Sequence, residues 1–229
     1  MKLMIAIILV AISLIIISMG AEKNLYDELT RYILQRIDEF DRISEERKEQ
    51  LGEIADYVSS KTMENSINRL TFICTHNSRR SHMGQIWAQA AAYYYGIKNV
   101  ETYSGGTEAT AFNPRAVKAL QIAGFMIEKT TDTDNPVYQV KFARQAPCID
   151  AYSKKFDSGN NPREDFCAIM TCSQADAECP FIPGASLRVA IPYEDPKNFD
   201  GTAQESQAYS ERCEQIAREM FYLFSKVNQ

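Results

Sequence analysis

A short apolar run at residues 70–73 leads through Cys74-Thr75-His76-Asn77-Ser78-Arg79-Arg80-Ser81 into a helical stretch that ends near Gly96. Met83, Ile86, Trp87, Ala90, Ala91 and Tyr94 recur at the spacing of one helix face. A strand that turns so quickly into a helix is the repeating unit of a parallel sheet, because parallel neighbours need a covering crossover. The downstream chain continues the pattern. Residues 100–103 form a second strand closed by Ser104-Gly105-Gly106, and Asn113-Pro114 caps a helix carrying Val117, Leu120 and Ala123 that stops at Gly124. Residues 166–171 and 187–191 are two further apolar strands. A long amphipathic helix starts near Thr202, with Tyr209, Cys213, Ile216, Ala217, Met220 and Phe224 facing inward. The expected fold is α/β, a four-stranded parallel sheet flanked by helices.

Two segments stand outside that alternation. Residues 134–165 carry two strand-like stretches, 137–142 and 149–156, and then the turn-rich Asp157-Ser158-Gly159-Asn160-Asn161-Pro162, so an inserted β-hairpin is expected there. Residues 22–66 read as a helical hairpin, a packing extension or lid ahead of the catalytic domain at 67–229. Leu25, Leu29, Ile33, Ile37 and Phe40 mark its first helix; Leu51, Ile54, Ala55 and Val58 mark its second, with Ser44 as N-cap.

The first 21 residues are almost uniformly apolar, with Lys2 the only charge. Three readings fit them: a cleaved signal peptide, a membrane anchor through residues 3–21, or an upstream extension of a cytoplasmic protein that starts at Met19. The first two place the domain in an exported or membrane-anchored setting. Elsewhere the composition is that of a soluble enzyme. Acidic residues outnumber basic ones by 30 to 25, which speaks against a general nucleic-acid partner. Six Cys and only two His give no basis for a metal site.

The chemistry concentrates at residues 74–81. A Cys and an Arg six positions apart, between a strand and a helix, can wrap one tetrahedral anion. Main-chain N–H groups of Thr75, His76, Asn77, Ser78 and Arg79 would face it, and the helix N-terminus adds positive charge. Arg80 can clamp two oxygens of the anion. The same field favours the Cys74 thiolate, which a nucleophile requires. Ser81 can donate a hydrogen bond to the sulfur, and Asn77 tolerates the left-handed backbone that a tight loop needs. The plainer reading is a buried structural Cys74 beside a surface arginine.

At these residues the chain resembles the low-molecular-weight protein tyrosine phosphatase superfamily, and within it the thioredoxin-coupled arsenate reductases. The likeness also covers Tyr103-Ser104-Gly105-Gly106-Thr107-Glu108, Asn113-Pro114-Arg115-Ala116-Val117 and Glu194-Asp195-Pro196. It implies that Asp195 is the general acid of phosphatase chemistry, a role that suits a carboxylic acid near a leaving oxygen. It also implies that Cys74, Cys172 and Cys179 form a redox series. In that series the first thiol attacks arsenate, the second attacks the first, and the third takes over the disulfide for reduction by a thioredoxin-like reductant. No bound cofactor is implied.

The match has departures. His76 replaces a common loop glycine, and Arg79 stands where many members carry a second loop cysteine. Gln85 replaces a glutamate that helps hold potassium in typical relatives, so the likeness does not carry that cation site here. Cys172 and Cys179 could instead form an ordinary stabilising disulfide. Cys148, Cys167 and Cys213 read as core or incidental thiols, and His76 and His82 as loop hydrogen-bonders. Three functions follow: arsenate reduction, phosphomonoester hydrolysis through a cysteinyl-phosphate, or a non-catalytic anion-binding or interaction module. A thioredoxin-dependent enzyme needs access to a reductant, which sits awkwardly with export.

Overall fold

The computed structural model describes residues 25–228. The apolar leader lies outside the described residues, and among those described no helix is long and apolar enough to cross a membrane.

The chain enters through α1 (Asp27–Ile37), a 3-10 turn at Phe40–Arg42, and α2 (Glu45–Met63), whose N-cap Ser44 accepts from Arg47 N at 3.2 Å. The sheet then begins with β1 (Asn68–Cys74), followed by α3 (Arg80–Tyr95), β2 (Val100–Gly106) and α4 (Pro114–Ile122). Asn113 caps α4 through its side chain, 2.9 Å from Arg115 N, with Pro114 in the first turn. After an inserted region come β6 (Phe166–Met170), α5 (Ser173–Glu178), β7 (Ala185–Ala190) and α6 (Glu205–Ser225). The four main strands are parallel in the order β2-β1-β6-β7. Every residue of β6 is buried, as expected for a central strand covered on both faces.

The inserted region is larger than the expected hairpin. It is a three-stranded antiparallel sheet, β3 (Met126–Lys129), β4 (Tyr138–Lys141) and β5 (Ile149–Ala151), in that order. The expected pair is present, with Tyr138 opposite Ala151, but β3 joins it from upstream, with Met126 opposite Lys141. The second strand of the pair is also shorter than residues 149–156. After Ala151 the chain leaves the small sheet and crosses the end of β2, where Gly106 N donates to Lys154 O at 2.9 Å and Phe156 N to Gly106 O at 2.9 Å. That crossing brings the insertion against the anion loop.

The N-terminal helices are built into the main core. Leu29, Ile33, Leu51, Ile54 and Val58 are fully buried in the cluster that holds Trp87, Phe221 and Phe224. Both helices pack on α6, so their charged faces are solvated while their apolar faces are shared with the catalytic domain.

Candidate active site

Residues 75–79 span the gap between β1 and α3 without regular structure. The carbonyls of Thr75, His76, Ser78 and Arg79, with that of Cys74 before them, all accept hydrogen bonds. Cys74 O accepts from Thr107 N at 3.2 Å, Thr75 O from Glu108 N at 2.8 Å, Ser78 O from Asn113 N at 2.9 Å and Arg79 O from Met83 N at 3.0 Å. His76 O takes the hydroxyls of Ser153 (3.0 Å) and Thr110 (3.1 Å). Among the described residues, none of the N–H groups of residues 75–79 donates to a protein acceptor. No side chain caps α3 at Arg79 either, so its first turn presents free donors. A loop with its carbonyls occupied and its amides free is a cradle for an oxyanion.

Two backbone features allow so tight a loop. Asn77 adopts φ 43°, a left-handed conformation that asparagine tolerates better than most residues. Gly106 passes so close that a Cβ there would meet Glu108 O at 2.2 Å and both Asn77 N and Thr75 O at 2.7 Å. These are main-chain atoms, so only glycine fits at the end of β2.

At the nucleophile position, Cys74 is 4% exposed and its Sγ lies 3.1 Å from Ser81 Oγ. Asn77 Nδ2 donates to the same hydroxyl oxygen at 2.9 Å, which leaves the Ser81 hydrogen for the sulfur. Asn77 is itself fixed by Lys154 N, which donates to its Oδ1 at 2.8 Å. The Arg80 guanidinium reaches across to Tyr193 O (2.9 Å) and Asp195 Oδ2 (2.6 Å), and its buried Nε–H has no acceptor. Arg79 also turns to this side, with Nη1 3.6 Å from Asp195 Oδ1 and Nε donating to Tyr209 Oη at 3.1 Å. Both carboxylate oxygens of Asp195 are thus held by guanidinium groups at the mouth of the loop.

The second cysteine lies against the loop. Cys172 follows β6, is 1% exposed, and its Sγ lies 3.4 Å from Thr75 Oγ1. It shares one apolar cluster with Cys74, Ile73, Met170 and Ala175. Its sulfur accepts from Ala175 N at 3.4 Å as the N-cap of α5, and Cys179 closes that helix at its other end. Cys179 is partly exposed; desolvation and the adjacent Glu178 push its thiol up, while Arg188 opposes them. All six cysteines are free thiols.

The structure therefore gathers Cys74, Thr75, Asn77, Arg79, Arg80, Ser81, Cys172 and Asp195 around one loop. Ser78 is buried in the loop, and the His76 side chain instead points outward, with Nε2 3.7 Å from Glu108 Oε2. His82 is fully buried, its Nδ1 3.2 Å from Ser104 Oγ and its ring stacked on Phe112. Burial, and then the charge of Lys154, push its imidazole well below the ordinary range. Ser153, Lys154, Tyr193 and Tyr209 were not expected at the site. They come from distant segments, and no local sequence pattern marks them. Gln85 uses its Nε2 to donate to Thr102 O at 3.0 Å. Among the described residues, no group of three or more His, Cys, Asp or Glu is placed to hold a metal ion.

Residues 69–182 match the family model described as low molecular weight phosphotyrosine protein phosphatase. An arsenate reductase of Bacillus licheniformis is 30% identical over 160 residues, covering 69% of this chain and 95% of the relative. One from Bacillus subtilis is 32% identical over 150 residues, covering 66% and 88%. The crystal structure of a low molecular weight protein tyrosine phosphatase from T. tengcongensis aligns with a TM-score of 0.47 at 18% identity, covering 70% of this chain and 99% of that one. An arsenate reductase solved in a phosphate-binding state aligns with a TM-score of 0.45 at 16% identity, covering 71% and 100%.

Proposed function

The chain belongs to the low molecular weight phosphotyrosine protein phosphatase family, and on that premise we propose that it reduces arsenate to arsenite by a cysteine relay. The observation that carries this reading is the second thiol, Cys172, buried against the anion loop 3.4 Å from Thr75 Oγ1. Hydrolysis of a phosphomonoester has no use for a thiol there.

In the proposed sequence the Cys74 thiolate displaces water from protonated arsenate and forms a sulfur–arsenic(V) bond. The loop amides and Arg80 hold the arsenate oxygens. The Cys172 thiolate then attacks Cys74 Sγ. The sulfur–arsenic bond breaks with its electron pair going to arsenic, so arsenite leaves as arsenic(III) and a Cys74–Cys172 disulfide remains. Cys179 attacks Cys172, frees Cys74 and moves the disulfide outward. A thioredoxin-like dithiol returns two electrons and two protons. Helix α5 has only six residues, so the rearrangement that brings Cys179 to Cys172 unwinds one short helix and releases Ala175 from the cluster beside Cys74. Phe181, two residues beyond Cys179 and 76% exposed, supplies an apolar contact for the reductant.

Arsenite release in the presence of a thioredoxin system tests the reading. Cys172→Ser is expected to abolish repeated turnover; full turnover in that variant would remove the relay. A second reading, phosphomonoester hydrolysis, draws on Asp195, whose Oδ2 lies 2.6 Å from Arg80 Nη2. It requires Asp195 to release a guanidinium contact and protonate the leaving oxygen. It predicts hydrolysis that survives Cys172→Ser and disappears in Cys74→Ser.

A further inference from the structure

Arg80 is held by the segment that follows β7. Its Nη1 donates to Tyr193 O at 2.9 Å and its Nη2 to Asp195 Oδ2 at 2.6 Å. That segment is fixed in turn by the end of β6, where Ile191 N donates to Met170 O at 2.9 Å and Tyr193 N to Thr171 O at 3.1 Å. A second hold on it comes from the N-terminal helices. Arg47, in the first turn of α2, donates from Nη2 to Pro192 O at 2.7 Å. The same guanidinium lies over the Tyr193 ring, 5.4 Å from its centroid, and its Nε is 3.6 Å from Glu219 Oε2 on α6. The side chains of Arg47 and Glu219 are 16% and 4% exposed.

Helix α2 precedes residues 69–182, which carry the family match, yet its arginine grips the peptide next to the carbonyl that receives Arg80. A planar guanidinium suits this place. One N–H group reaches a carbonyl, another faces a carboxylate, and the plane covers an aromatic ring. A helix that only covered the core would not need an ion pair here, and shielding one from water carries a desolvation cost that an apolar residue avoids. We propose that Arg47 is a positioning residue for Arg80. It fixes the Pro192–Tyr193 peptide, so that the Tyr193 carbonyl and the Asp195 carboxylate hold the Arg80 guanidinium ready for an oxyanion in the loop. The proposal rests on Arg80 being the oxyanion clamp, whichever oxyanion is the substrate.

The test is iodoacetamide alkylation of Cys74 in the full chain at pH 7, read by mass spectrometry over a series of inorganic phosphate concentrations. The rate without phosphate reports the nucleophile, and the phosphate concentration that halves the rate reports the clamp. Arg47→Met keeps the apolar stem and removes the guanidinium. It is expected to raise the half-protecting concentration about tenfold, while the rate without phosphate stays within about twofold of the parent. In an Arg80→Lys background the same substitution should change the half-protecting concentration by less than about twofold, because the two side chains act as one unit. Parent-like phosphate protection in a folded Arg47→Met overturns the proposal, and so does an undiminished effect in the Arg80→Lys background. An equal slowing of the rate without phosphate marks a general loosening of the loop and overturns it too. If Arg47→Met does not fold, Arg47→Lys decides. It keeps a charge beside Glu219 but loses the planar fork, so it should raise the half-protecting concentration severalfold, and parent-like protection overturns the proposal. Failure of phosphate to protect Cys74 in the parent would instead remove the reading of Arg80 as the clamp, and this proposal with it.

Discussion

Ser81→Ala isolates the shortest link between the loop and its sulfur. Ser81 is fully buried, and its hydroxyl does two jobs at once: it accepts from Asn77 Nδ2 at 2.9 Å and faces Cys74 Sγ at 3.1 Å. With its oxygen occupied by Asn77, the hydrogen is free for the sulfur, and that donation favours thiolate over thiol. A hydrogen bond to a charged group is worth about 1.5–3 kcal/mol, so its loss should lower the thiolate population at neutral pH by about 10- to 100-fold. The second consequence falls on the fold. Asn77 Nδ2 loses its acceptor, and a buried unpaired donor costs about 1–3 kcal/mol. The assay pairs Cys74 alkylation at pH 7 and pH 10 with urea unfolding at pH 7. The expected result is slower alkylation at pH 7 only, together with a lower unfolding midpoint. A Ser81→Ala protein that is less stable but alkylates within threefold of the parent at pH 7 would refute the argument that the hydroxyl serves the sulfur.

Two buried groups make stability rise with pH, each in its own range. His82 is held neutral in the fold, well below its unfolded value of about 6.5, so its contribution is full above that value and is lost as pH falls, at up to about 1.4 kcal/mol per pH unit. His82→Asn should flatten the acid side of the stability curve measured by urea unfolding between pH 7.5 and 5, even if losing the Phe112 stack lowers the whole curve; parallel curves would count against it. Lys154 falls from an ordinary 10.5 to about 8 in the fold. Its charge therefore destabilises the fold fully below pH 8, and the penalty is relieved as pH rises toward 10.5. At about 1.4 kcal/mol per unit, Lys154→Met should gain up to about 3.5 kcal/mol at pH 7, checked by the same titration; an equal or lower stability would contradict that burial cost.

The anion loop was legible because its chemistry is local. Cys74, Asn77, Arg80 and Ser81 lie within eight residues, and the apolar run before them and the helical face after them leave one arrangement. The insertion was not legible in the same way. Strand β3 is four residues long with three of them exposed, so no alternation marks it. Helix α5, at six residues, is too short for a helical period to show. Lys154 was hidden for a different reason. A lysine in a polar segment is ordinarily solvated, and only the crossing of residues 152–156 over the end of β2 buries this one.

That hidden contact explains why the insertion belongs to the site. An anion loop needs its amides turned inward, and something outside must take its carbonyls and fix its side chains. Here Ser153 takes His76 O and Lys154 N takes Asn77 Oδ1, so two adjacent residues of the insertion hold two adjacent residues of the loop. The same two positions cannot be supplied by the parallel sheet, because the end of β2 is already used at Gly106, Thr107 and Glu108. Shortening the insertion would therefore free Asn77, and with it Ser81, before it touched the main core.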